Sequence, residues 1–183
     1  MLTRLFVTGT DTNIGKTVVT RALLQFFNHE ENIAVGYEPI TGEGTLIDFA
    51  QMTDCLNELS HKADRVIVDG KGGWRALLQD NVFYSDWVVK EKLPVILVVG
   101  IQAGCVNHAI LTAQSIISDG VPLLGWIANR INPGLAHYAE VLEMLRCHIP
   151  APQLGEIPYL LRPEERELSH YLDSNVISKL DHL

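Results

Sequence analysis

A chain of 183 residues fits one domain, 1–183, with room for a sizeable core; 47% hydrophobic against 20% charged residues excludes a disordered or linker-like protein. Fourteen Lys and Arg against 22 Asp and Glu give a formal net charge of −8. That balance argues against a general binder of nucleic acid or of an anionic membrane, while leaving room for a local basic pocket.

Gly9 and Asp11 interrupt the first apolar residues too early for a signal peptide. The longest apolar run, 94–99, is far below the ~20 residues that span a bilayer. Cys55, Cys105 and Cys147 are odd in number and lack metal-ligand spacing, so they read as reduced thiols of a cytoplasmic protein. In chain order, the pattern predicts a strand at 5–7, a helix over 16–28, a strand at 33–37 and a helix over 46–61. Strands at 65–69 and 94–99 show no polar alternation, the mark of strands buried on both faces. A helix over 107–118, a strand at 123–128, a helix over 135–147, a short strand at 153–155 and one or two short C-terminal helices follow. Strand alternating with helix predicts an α/β fold: a doubly wound, mostly parallel sheet with helices on both faces. Ligands of such sheets bind beyond the carboxyl ends of the strands.

Residues 9–17, Gly-Thr-Asp-Thr-Asn-Ile-Gly-Lys-Thr, leave the first strand and open the first helix. Backbone N–H groups of such a loop wrap phosphate oxygens, and the helix start adds positive potential. Lys16 is placed to reach the outer phosphates, and the Thr17 hydroxyl to meet a magnesium ion. Thr10 stands where the usual first glycine belongs, with Gly9 one residue earlier. Asp69, closing an apolar strand, is either a magnesium partner or a turn cap. Gly70 and Gly72 allow close backbone approach, and Lys71 either contacts phosphate or is solvated. These features predict a P-loop NTPase type of domain.

Further motifs are Phe6-Val7-Thr8-Gly9-Thr10-Asp11-Thr12, Gly72-Gly73-Trp74, Leu93-Pro94-Val95, Gly104-Cys105-Val106-Asn107-His108-Ala109, Gly125-Trp126-Ile127-Ala128-Asn129 and Leu154-Gly155-Glu156-Ile157-Pro158. On them the chain resembles the dethiobiotin synthetase family, ATP-dependent enzymes of biotin biosynthesis, and within it the second enterobacterial-type form. The resemblance covers 1–37 and 46–172. It implies ATP and Mg2+ as cofactors, 7,8-diaminononanoate and CO2 or bicarbonate as substrates, and a homodimer. Thr12, Asn13, Ile14, Gly15, Lys16, Thr17, Gly70, Lys71 and Gly72 are then expected around the phosphates, with Thr17 and Asp69 on the metal. Asn129 is expected at the adenine edge, with Pro158 and Tyr159 against the base and Arg130 and Leu160 also in the nucleotide site. Thr41 and Gly42 take a substrate position. Gly104, Cys105, Val106 and Asn107 open a helix toward the substrate carboxylate across the dimer interface. Cys105 and His108 read as packing residues, and Trp74 and Trp126 as core or interface aromatics.

Two departures stand out. Glu38, before Pro39, occupies the position of the family's catalytic lysine, and its carboxylate reverses that charge. The segment between Pro39 and Leu46 is several dozen residues shorter than in the family, and the shortening takes with it the other magnesium carboxylate. Two further readings therefore accompany the synthetase: an ATP-binding paralogue with impaired or lost activity, and a partitioning-type ATPase switch. The last usually carries an extra lysine in its phosphate loop, and none lies between Gly9 and Gly15.

Overall fold

The computed structural model describes residues 2–28, 32–42, 46–79 and 81–182. Its elements are β1 (Arg4–Gly9), α1 (Lys16–Phe27), β2 (Ala34–Tyr37), α2 (Phe49–Lys62), β3 (Arg65–Gly73), β4 (Leu77–Gln79), β5 (Val82–Phe83) and α3 (Tyr84–Lys90). They continue with β6 (Val95–Ile101), α4 (Cys105–Ser118), β7 (Leu123–Arg130), α5 (Tyr138–His148), β8 (Gln153–Ile157) and α6 (Ser174–Ile177), with short 3-10 turns in the C-terminal stretch. Six strands form one sheet in the order β2-β3-β1-β6-β7-β8, and every pairing between them is parallel. The expected doubly wound sheet is therefore present.

Alternation along the strands divides the core in two. Phe6, Val66, Val68, Leu97 and Trp126 face one layer, which Met52 and Leu56 of α2, Trp87 of α3, Ala109 and Ile116 of α4 and Leu145 of α5 complete. Leu5, Val7, Ile67 and Val98 face the other, covered by Val19 and Leu23 of α1 and by Leu168, Leu172, Ile177 and Leu180 of the C-terminal stretch. Successive strands leave β1 in opposite directions, β3 on one side and β6 on the other. The loop after β1 thus opens at the switch point, where such sheets bind ligands.

Several boundaries differ from the periodicity. The side chain of Asp48 accepts hydrogen bonds from the amides of Ala50 and Gln51 (2.9 and 3.2 Å), so α2 starts at Phe49 rather than 46. Gly104 at φ 81° brings the start of α4 forward to Cys105. An Asn132 side-chain bond to the Gly134 amide (3.0 Å) holds a turn that delays α5 to Tyr138. Residues 70–73 continue β3 instead of forming a loop, so Asp69 lies inside the strand rather than at its end. Glycine makes this possible: a Cβ at Gly70 would meet the Val7 carbonyl oxygen at 2.6 Å and Phe6 Cζ at 2.8 Å. The antiparallel β4–β5 hairpin and α3 have no counterpart in the periodic reading.

Substitutions separate core from surface. Leu97→Ala, in a wholly buried β6 position, is expected to cost about 2–5 kcal/mol. Met144→Ala, on a residue 43% exposed, should stay within about 0.5 kcal/mol. Urea denaturation of each against the parent checks the contrast.

Candidate nucleotide and phosphate site

The loop between β1 and α1 carries two left-handed residues. Asn13 at φ 55° and Gly15 at φ 85° stand on either side of Ile14, a pattern suited to an anion-binding nest. α1 then begins at Lys16 without a side-chain cap, leaving its first amides for a ligand. Ile14 turns its side chain into the core at 1% exposure, so it serves the loop through its backbone. Its carbonyl accepts a buried hydrogen bond of 2.8 Å from Asn129 Nδ2. Asn129 therefore pins the loop from β7, a role additional to the base-edge one expected of it.

A cavity of about 520 Å³ lies over this loop, lined by Thr12, Asn13, Gly15, Lys16 and Thr17 together with Glu38, Ile40, Thr41, Asp69, Gly70, Lys71 and Gly72. All the expected phosphate and metal residues except Ile14 meet there. Lys16 is 8% exposed, and its Nζ donates to the Asp11 carbonyl at 3.0 Å. Burial pulls its ammonium below the usual lysine range, while the nearby carboxylates of Asp69 and Asp11 pull it back up. Asp69 is likewise 8% exposed, and its Oδ1 is buried with no hydrogen-bond partner among the described residues. Burial pushes this carboxyl above its usual range; the Thr17 hydroxyl draws it down and the Glu38 charge pushes it up. Lys71 donates to the Gly42 carbonyl at 3.1 Å, so it braces the segment after β2 at the cavity rim.

A second cavity, about 180 Å³, adjoins the first through Asn13 and Gly15 and gathers Asn129, Arg130, Pro158, Tyr159 and Leu160. The residues expected around a base thus lie together. Arg130 is held over the Tyr138 ring at 4.2 Å and donates to the Pro133 carbonyl. A third cavity, about 580 Å³, adjoins on the other side through Thr12, Ile40, Lys71 and Gly72. Gly42 lies in it with Leu46, Ile47, Ala76, Leu77 and Leu78, an apolar wall that sequence reading missed because Leu77 and Leu78 come from the short strand β4. Tyr84 was also missed: it is 2% exposed, its hydroxyl has no hydrogen-bond partner among the described residues, and burial with the charges of Tyr37, Asp69 and Glu38 holds it above the usual range.

Gly104, Cys105, Val106 and Asn107 line none of these three cavities. α4 does open there with no side-chain cap. Cys105 is 2% exposed and burial pushes its thiol up, which suits packing rather than nucleophilic use. Trp74 is a core aromatic whose Nε1 donates to Asp119 Oδ2 at 2.7 Å, and Trp126 is wholly buried.

A lysine-threonine pair opening a helix after the central strand of a parallel sheet, with a buried acid on the next strand, defines a domain of the P-loop NTPase type. Solved structures of similar fold include the ParA family ATPase from Chlorobium tepidum TLS (TM-score 0.67, 11% identity, 100% of both chains) and the MinD cell division protein from Aquifex aeolicus (TM-score 0.70, 14% identity, 99% and 98% of the two chains). A family model described as an AAA domain matches residues 40–165. The chain is 53% identical over 221 positions to ATP-dependent dethiobiotin synthetase BioD 2 of Yersinia pestis, covering 97% of this chain and 100% of that protein. It is 45% identical over 215 to BioD 2 of Escherichia coli K12, covering 94% and 93%, and 36% identical over 230 to BioD of Vibrio cholerae, covering 100% and 97%. The chain belongs to the dethiobiotin synthetase family. The Yersinia alignment spans 221 positions and this chain has 183 residues, so at least 38 positions (221 − 183) face no residue here. The shortening is internal, since both proteins are covered almost end to end.

Gly15 offers a direct check. A Cβ there would sit 2.0 Å from Asn129 Nδ2, on a backbone at φ 85°. Left-handed strain alone costs an L-residue about 1–2 kcal/mol. Isothermal titration of Gly15→Ala with ATP is expected to show affinity about tenfold lower or worse, with the far-ultraviolet circular dichroism unchanged.

Proposed function

We propose that this chain is an ATP-dependent dethiobiotin synthetase of biotin biosynthesis, acting on 7,8-diaminononanoate and carbon dioxide. The observation that carries the reading is the single cavity in which Lys16, Thr17 and Asp69 converge on an amide-lined loop, in a chain 53% identical to a protein of that name. The likeness to ParA and MinD proteins, at 11–14% identity, is a likeness of fold. The relatives named above favour the synthetase reading over the partitioning one.

The chemistry balances as follows. One amine of the substrate adds to carbon dioxide and loses a proton, forming a carbamate. A carbamate oxygen attacks the γ-phosphorus of ATP, and ADP leaves. The second amine attacks the resulting carbonyl, the ring closes as a cyclic urea, and phosphate leaves with the transferred oxygen. Little of this is covalent work for the protein; positioning and charge stabilisation dominate. Loop amides and the Lys16 ammonium hold the phosphates, and the smaller cavity at Asn129 and Pro158 takes the base. The aliphatic chain of the diamine suits the apolar cavity beside Ile40 and Leu77, which opens directly on the phosphate cavity.

Magnesium fits the residues present, because the buried Asp69 Oδ1 without a partner and the Thr17 hydroxyl border the phosphate cavity. When bound, the ion neutralises charge on the phosphate oxygens. The open start of α4 at Gly104–Asn107 suits a substrate carboxylate presented from a second protomer, which makes the working unit a homodimer. Exposed Leu111 and Ile117 on the same helix support that packing. The three cysteines are free, which supports a cytoplasmic setting. No helix among the described residues is long and apolar enough to cross a membrane.

Incubation with diaminononanoate, bicarbonate and Mg-ATP is expected to yield dethiobiotin and ADP in equal amounts. ADP without dethiobiotin would favour the paralogue reading. In equilibrium binding with a labelled ATP analogue, Lys16→Ala and Thr17→Ala should each lose at least about tenfold in affinity; unchanged affinity in both removes the phosphate-loop reading. Sedimentation at assay concentration is expected to show a dimer, and a strict monomer removes the carboxylate site at α4.

A further inference from the structure

Glu38 lies one residue beyond β2, and the pairing of β2 with β3 sets Tyr37 level with Val68. One step along both strands sets Glu38 level with Asp69, and level residues on neighbouring parallel strands point to the same face, with the strands about 4.8 Å apart. That face is the one under α1: Gly36 and Ile67 are paired, Ile67 belongs to the α1 layer, and a Cβ on Gly36 would meet Leu24 Cδ1 at 3.2 Å. Glu38 and Asp69 accordingly line one cavity with Thr17.

Neither carboxylate has a direct ion pair there among the described residues, although the nearby Lys16 charge draws Asp69 toward its ionised form. Glu38, an exposed residue, has no ion pair or side-chain hydrogen bond among the described residues, and Asp69 Oδ1, on a residue 92% buried, accepts none. The two lysines of the cavity hydrogen-bond to backbone carbonyls rather than to either carboxylate, Lys16 to that of Asp11 and Lys71 to that of Gly42. Glu38 is exposed at the rim and Asp69 is buried beneath it; with anionic phosphates due beside them, a divalent cation between the two would offset the like charges. Magnesium sites with phosphates commonly take one or two protein carboxylates. Among the described residues no third His, Cys, Asp or Glu joins the pair, so phosphate, hydroxyl and water oxygens would complete the shell.

We propose that Glu38 is a metal-side carboxylate, holding with Asp69 and Thr17 the divalent cation that accompanies the nucleotide. This rests on the nucleotide reading above and adds a ligand to it. The charge that looks repulsive toward ATP in the sequence becomes attractive once the cation is present.

The test is binding of a non-hydrolysable ATP analogue to the full chain and to Glu38→Gln, with EDTA and with magnesium. With EDTA, removing the charge strengthens binding several-fold by ending a like-charge repulsion. With magnesium, the same change weakens binding about tenfold. Manganese binding in the presence of the analogue, read by electron paramagnetic resonance, should weaken by a similar factor. A gain in nucleotide affinity under both conditions, or unchanged manganese affinity, overturns the proposal and leaves the nucleotide site standing. Failure of the parent chain to bind the analogue under either condition overturns the nucleotide reading and this one together.

Discussion

Burial of Lys16 is the constraint around which the molecule is arranged. A lysine that is 8% exposed and whose ammonium donates to one loop carbonyl has given up much of its water. The structure supports it with fixed dipoles and with Asp69, itself buried on the neighbouring strand. Each group alone is displaced toward its neutral form by desolvation, and each draws the other back toward charge. A ligand that brings phosphate to the lysine and a cation to the aspartate relieves both costs at once. The amide-lined loop is therefore more than a turn between β1 and α1.

Holding that arrangement requires the sheet to be rigid at the point where strand order reverses. Val7 and Gly9 pair with β3 on one side and with β6 on the other, so the loop leaves a fully paired strand. Asn129 reaches from β7 to bond the Ile14 carbonyl, fixing the loop across a sequence separation of 115 residues. Gly15 makes the contact possible, because any side chain there would occupy the amide's place. From this fixed centre three adjoining cavities run from the carboxyl end of β7, over the loop, to the apolar wall of the β4–β5 hairpin. Their sequence matches a ligand with a flat base, a charged middle and an aliphatic co-substrate.

Much of this was legible in the chain because it is local. Gly15-Lys16-Thr17 after an apolar strand carries its own geometry, and the unalternating runs at 65–69 and 94–99 identify strands buried on both faces. Segment 74–92 was not legible. Its two strands are three and two residues long, too short for any period to emerge, and its helix has seven residues. The apolar cavity was lost with it. Asn129 could be placed near a base by motif, but its bond to the phosphate loop exists only in three dimensions. Glu38 shows the same limit from the other side. Its charge is plain in the sequence, whereas the neighbour that gives the charge a use, Asp69, is set by strand register.

The central claim is that this cavity transfers the γ-phosphoryl group of ATP to a carbamate oxygen and releases it on ring closure. Oxygen-18 in bicarbonate reports on that path directly. Carried through a single turnover with diaminononanoate and Mg-ATP, the label should appear as one heavy oxygen in the released phosphate, with the rest in dethiobiotin and water. Phosphate released without label, its new oxygen coming from solvent, would mean that the site hydrolyses ATP with no carbamate in line, and would contradict the account.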